Sequence, residues 1–239
     1  MIPVTIELGG ITLDVVRKDI RNVHLSVHPP TGRVTIAAPT RMSLDTLRLF
    51  AIGKLGWIRQ QQRDLRGQER ESRREYLDRE SHYVWGKRYL LKLVEAEAAP
   101  AVQLSHTRLT LRVRPGTDEA GRAAILAGWY RQQLKVVAAP LIATWQPRLK
   151  VTVNRVHVQQ MKTRWGSANP SARTIRLNTE LAKKPLACLE YIVLHEMAHL
   201  IEPTHGPRFL ALMDRCMPGW RETRKLLNEL PARHQTWNY

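Results

Sequence analysis

The chain has 239 residues, 43% hydrophobic and 25% charged, with a net charge of +17 at neutral pH. That length holds one large or two small domains with a sizeable core. Its apolar stretches fall well short of the roughly 20 residues a membrane span needs, and two cysteines, Cys188 and Cys216, make no disulfide framework. Residues 1–10 lack a basic segment followed by an apolar one, so the expected location is cytoplasmic, with no membrane partner.

In chain order, the first elements alternate apolar and polar residues. Residues 4–8 and 11–16 flank Gly9-Gly10, a hairpin signal, and 23–27 and 34–37 flank Pro29-Pro30-Thr31-Gly32. Ser43 caps a helix that sets Leu44, Leu47, Phe50, Ala51 and Leu55 on one face. Its continuation over 60–80 is almost wholly Arg, Gln, Glu and Asp, which predicts a solvated helical extension or a linker. Two more hairpins follow, 83–94 around Gly86 and 102–113 around His106-Thr107. Pro115-Gly116 breaks the pattern and divides the chain into a β-rich region with one long helix, 1–115, and a second domain, 116–239. The second domain opens with a long helix, 118–145, capped by Thr117. Strands at 151–158 and 174–177 follow, then a helix over 185–201 and two shorter ones after Gly206 and Gly219. No internal repeat is visible. The expected fold class is α+β.

The charge excess is uneven. Residues 120–179 contain ten Lys and Arg and no acid. Such a field attracts polyanions, so nucleic acid is an expected partner of this stretch, against the simpler reading of a solvated basic surface.

The helix over 185–201 is apolar nearly all round, which makes it a core helix. It nevertheless carries His195, Glu196 and His199. Histidines four apart share a helix face, and two imidazoles with a carboxylate on a buried helix are costly unless they bind something. His195-Glu196-Met197-Ala198-His199 has the spacing with which two histidines grip one zinc ion while the glutamate reaches a water on it. A catalytic zinc ion needs a third protein ligand and an open position. Glu202 and His205 are the candidates. Pro203 ends the helix after Glu202, and three ligands along one straight helix cannot converge, so His205 is preferred. Glu202 is left as a hydrogen-bond acceptor from a ligating imidazole. Arg164 precedes this helix on a hairpin and is a candidate for binding substrate or an oxyanion. Trp165 reads as core or site, and Tyr191, one turn before His195, as a core aromatic or a transition-state donor.

These residues carry a resemblance. Arg164-Trp165-Gly166-Ser167, Leu177-Asn178, the run from Leu189 to Leu200 through the histidine motif, then His205 and Phe209, resemble the YgjP-like metallohydrolase family, which is related to the SprT and WLM zinc proteases. The likeness is strong over 161–230 and weaker at Trp57-Ile58 and Gly86-Lys87-Arg88-Tyr89. It implies a minimal zincin fold, one zinc ion per chain on His195, His199 and His205, and Glu196 as the catalytic residue. Where the family usually has Cys after the Arg-Trp-Gly-Ser run, this chain has Ala168. Three functions are weighed. The favoured one is a metallopeptidase with Glu196 as general base, which predicts an open groove with an accessible strand edge. A nucleoside triphosphate pyrophosphatase, also implied by the resemblance, predicts a closed basic pocket. A non-enzymatic, zinc-stabilised nucleic-acid-binding module predicts a closed four-ligand site. The β-rich region is expected to cover one side of the cleft.

Overall fold

A computed structural model describes residues 4–28, 31–67, 74–161 and 164–230. They form two compact units, one ending at residue 67 and the other running from 74 to 230.

In the first unit, β1 (Val4–Leu8) and β2 (Ile11–Lys18) make the expected hairpin. Gly9 and Gly10 take φ of 55° and 78°, which a two-residue turn of this kind requires. β3 (His24–His28) pairs antiparallel with β4 (Arg33–Pro39), and β4 lies parallel to β2, giving the order β1-β2-β4-β3. Ile6, Leu13, Val15, Val34 and Ile36 bury one face of this sheet in a cluster with Leu47 and Ala51 of α1 (Leu44–Ile52) and Ile58 of α2 (Leu55–Gly67). Ser43 caps α1 as expected, accepting from the Thr46 N–H. The polar stretch expected to continue as a helix or linker to residue 80 is helical only as far as Gly67. Residues 68–73 lie outside the described residues. Beyond them the chain turns at Tyr76 and Arg79 (φ 56° and 64°), and the Glu80 carboxylate accepts the N–H groups of Glu75 and Tyr76.

The second unit opens with a sheet of the same topology. β5 (Ser81–Val84) and β6 (Lys87–Glu95) pair antiparallel, β6 lies parallel to β8 (Arg108–Val113), and β7 (Ala101–Leu104) completes the order β5-β6-β8-β7. The chain thus contains an internal repeat after all, strand for strand. What recurs is alternation of apolar side chains and not particular residues, so the repeat is hidden in the sequence.

The boundary expected at 115/116 falls inside this second unit. Val84, Leu91, Leu109, Leu111 and Val113 of the sheet share one buried cluster with the helices that follow. Long helix α3 (Glu119–Leu149) runs through Pro140 and Pro147. Its cap is Asp118, whose carboxylate accepts from Gly121 N–H, while Thr117 donates to the Arg114 carbonyl. The carboxylate one residue later was the better placed acceptor. Leu126, Tyr130, Leu134, Ala138, Ile142, Trp145 and Leu149 recur every three or four residues and bury one stripe of α3.

The third sheet has the order β10-β11-β9. β10 (Gly166–Asn169) is antiparallel to β11 (Thr174–Asn178), but β11 is parallel to β9 (Arg155–Gln159), so this sheet is mixed. A 3-10 turn, Thr179–Lys183, leads into α4 (Leu186–Ala198), and α5 (Pro207–Cys216) and α6 (Trp220–Glu229) follow. The β5–β6 hairpin tip braces the start of α4. Trp85 N–H donates to Ala182 O, Gly86 N–H to Lys183 O, and a Cβ on Gly86 would stand 2.9 Å from Pro185 Cγ. No helix among the described residues is long and apolar enough to cross a membrane.

Candidate metal centre

α4 has little choice but to be central, because apolar residues surround it. Cys188, Leu189, Ile192, Val193, Leu194, Met197 and Ala198 are all buried against α3 and the third sheet. His195 lies in its last turn and His199 is its C-cap. Glu202 N–H then bonds back to Ala198 O, Pro203 ends any continuation, and the chain turns to bring His205 over the helix end.

The three Nε2 atoms form a near-equilateral triangle. His195 to His199 is 3.2 Å, His199 to His205 is 3.1 Å, and His205 to His195 is 3.1 Å. Each ring nitrogen offers one in-plane lone pair or one N–H, so three meeting at a point cannot satisfy one another. A cation there satisfies all three. Zinc–nitrogen bonds of about 2.0–2.1 Å in a tetrahedron put the nitrogens roughly 3.3 Å apart, close to the spacing observed. The set therefore fits a tetrahedral ion with one position left over. Burial, and then the neighbouring His199, lower His195 to about 3, and burial first also lowers His205. Both are thus neutral, the form in which imidazole binds metal.

Surrounding groups hold the rings in place. Phe209, buried, stacks on His199 (centroids 4.6 Å) and meets His195 and His205 at 5.0 and 4.9 Å. His199 Nδ1 lies 3.0 Å from the backbone carbonyl of Glu202, to which its N–H donates, leaving the Nε2 lone pair aimed at the centre. The acceptor role expected of Glu202 therefore belongs to its main chain and not to its carboxylate.

Glu196 is 5% exposed and lines the same cleft. Burial pushes its carboxyl up to about 7, against the downward pull of the Arg164 guanidinium. Gly166, at the start of β10, lies against it: a Cβ on Gly166 would stand 2.6 Å from Glu196 Oε1 and 2.7 Å from its Cγ. The buried Asn178 side chain fixes the segment before β10, donating to the carbonyls of Met161 and Arg164 and accepting from Met161 and Glu180 N–H. Gly166→Ala should displace the Glu196 carboxylate while leaving the triad alone. We expect metal content to be retained and turnover to fall about 100-fold, the scale of a 1 Å misplacement, as read by metal analysis and kinetics on one protein preparation.

The cleft, about 750 Å³, is lined from Arg164 to Asn228. Of the region expected to wall one side, residues 74–115 share this unit, and none of them lines the cleft. On one side stand Arg164, Trp165 and the strand β10. On the other stand Phe209, Leu210 and one face of α6, namely Trp220, Arg224, Leu227 and Asn228. Tyr191, 4% exposed, stacks on Trp220 (6.2 Å, 9°) and meets His195 edge-on, and burial raises its pKa, so it keeps its phenolic proton. Trp220 Nε1 donates to Asp214, which also pairs with Arg221. The ten basic residues of 120–179 do not gather here. Arg131, Lys135, Arg148 and Lys150 are exposed along or just after α3, and Arg155, Arg173 and Arg176 on or beside the third sheet; Lys162 lies outside the described residues. Among the described residues of that run, Arg164 alone of the Lys and Arg lines the cleft.

Sequence reasoning missed Arg224, Trp220 and the role of Gly166. The first two had a signal: residues 220, 224, 227 and 228 recur at helical spacing after the Gly219 break, one stripe of a short amphipathic helix.

A family model for the YgjP-like metallopeptidase domain matches residues 21–230. The chain belongs to that family. Among solved structures it is similar to the metallopeptidase zymogen abylysin of Pyrococcus abyssi, with 21% identity over 38% of this chain and 90% of that one, TM-score 0.35. It is also similar to the zymogen jannalysin of Methanocaldococcus jannaschii, with 20% identity over 38% and 92%, TM-score 0.33. No curated protein matches it.

Proposed function

We propose that this YgjP-like metallopeptidase-family chain cleaves peptide bonds, with one zinc ion on His195, His199 and His205 and with Glu196 as general base. The observation that carries the reading is the triangle of imidazole nitrogens with a buried carboxylate in the same open cleft. A bound zinc ion supplies Lewis acidity, which makes water a better nucleophile and polarises a scissile carbonyl. Glu196 takes the proton from the attacking water and returns it to the departing amine. Its buried carboxyl lines the same cleft as the three imidazoles, within reach of a water bound there. Arg164, at the cleft edge beside Glu196, binds the substrate.

The open edge of β10 supports a peptide over a nucleotide. Asn178 N–H bonds to Trp165 O, so in the antiparallel pairing Ser167 and Asn169 turn their main-chain groups toward β11. Gly166 and Ala168 turn theirs the other way, and both line the cleft. An extended peptide can add to that edge, with main-chain bonds at Gly166 and Ala168. The zinc-loaded full chain should cut unfolded protein or peptide pools, with mass spectrometry locating the new termini. Hydrolysis of nucleoside triphosphates without any peptide cleavage would overturn the reading.

A further inference from the structure

Helix α6 presents a single stripe to the cleft, Trp220, Arg224, Leu227 and Asn228. Trp220 and Leu227 are buried and hold the helix against the Tyr191 wall. Arg224 is exposed between them. The other cations of α6 are engaged: Arg221 with Asp214, and Lys225 with Glu229. Arg224 has no carboxylate partner among the described residues, although it stands in a cleft whose one acidic residue is Glu196. Two guanidinium groups thus line the cleft around the triad, Arg164 on the β10 side, where its charge acts on Glu196, and Arg224 on the α6 side. With a divalent ion at the triad, the cleft is strongly positive, and nothing in its lining offsets the charge on the α6 side. Beside Arg224 the cleft is lined there by Trp220, Tyr191 and Leu227, with Asn228 one helical turn on. The subsite combines a largely aromatic and aliphatic floor with one cation at its mouth, which suits a side chain with a short hydrocarbon stem and a carboxylate tip.

We propose that Arg224 determines specificity, selecting peptide substrates that carry an acidic side chain close to the scissile bond. The assignment rests on the peptidase reading and deepens it. Arg is suited to the task because its planar fork grips a carboxylate with two parallel hydrogen bonds, whereas an amide or an ammonium group gains neither the charge nor the geometry.

The test uses the zinc-loaded full chain and matched peptides that carry Glu, Gln or Lys at each position flanking the cleaved bond. At one position kcat/KM should favour Glu over Gln by about tenfold or more, as for a charge-assisted contact. Arg224→Gln should bring that ratio close to one, and Arg224→Glu should invert it in favour of Lys. A merely structural role for Arg224 would lower all three peptides together and leave the ratio intact. A binding readout supports the kinetics: a labelled Glu peptide should bind the Glu196→Gln protein more tightly than its Gln counterpart, and a second change, Arg224→Gln, should erase the difference. Peptides cleaved with no acidic preference, or a preference untouched by both Arg224 substitutions, would overturn the assignment and leave the peptidase reading standing. Nucleoside triphosphates hydrolysed in place of every peptide would overturn both.

Discussion

Alanine at His195, His199 or His205 should leave the purified chain with little zinc, where the unaltered chain holds about one ion. The three Nε2 atoms sit 3.1–3.2 Å apart and converge on a single point, so each supplies a third of the protein's grip. Losing one should cost more affinity than the roughly 10–100-fold typical of removing a group that only hydrogen-bonds a ligand. Glu202→Gln is the contrasting control. The Glu202 carbonyl, not its side chain, accepts from His199 Nδ1, so that substitution should leave zinc affinity near its original value. Elemental analysis after dialysis against a weak chelator reads both results. Full zinc content in the histidine variants would remove the triad from the metal site, and a severe loss in Glu202→Gln would put the carboxylate in it.

The histidine triad was legible because its signal is local. His195 and His199 share a helix face by spacing alone, and Pro203 forces the turn that delivers His205. The core character of α4 was legible for the same reason, since apolar residues on every side of a helix leave it nowhere but inside. Hairpins at Gly9-Gly10 and at Gly86 announced themselves through turn chemistry. What the sequence concealed is long-range. Parallel pairing of β2 with β4, of β6 with β8 and of β9 with β11 joins strands whose partners lie far along the chain, and no local pattern specifies it. The repeated sheet topology is hidden for that reason, and so is the unit boundary. Pro115-Gly116 looks like a break, yet Leu109, Leu111 and Val113 before it and Leu126 and Tyr130 after it bury one another. Gly166 illustrates the same limit at the scale of one atom. Its need to be glycine comes from a carboxylate thirty residues later in the chain.

Glu196→Gln should keep the fold and the metal while turnover falls by about 100- to 10,000-fold, the usual contribution of a positioned acid–base group. The amide fills the same buried space beside Gly166 but cannot accept a proton from water and hand it to an amine. Equal zinc content with undiminished peptide turnover would rule out Glu196 as the base. The same variant carries a stability signature with a defined sign. In the metal-free protein, burial raises the Glu196 carboxyl from 4.5 to about 7. Between those values the folded chain holds a proton that the unfolded chain has released, so this group's contribution to stability falls as pH rises from 4.5 through 7. Above pH 7 the full cost of burying the ionised group is present, on the order of 3 kcal/mol. The metal-free Gln variant escapes that cost. Its melting temperature should therefore exceed that of the unaltered metal-free chain at pH 8, and the gain should vanish below about pH 4.5, where both side chains are neutral. A gain that persisted in acid would mean that the amide packs better for reasons unrelated to charge, and it would detach the carboxylate from the buried, proton-holding environment on which its role as a base depends.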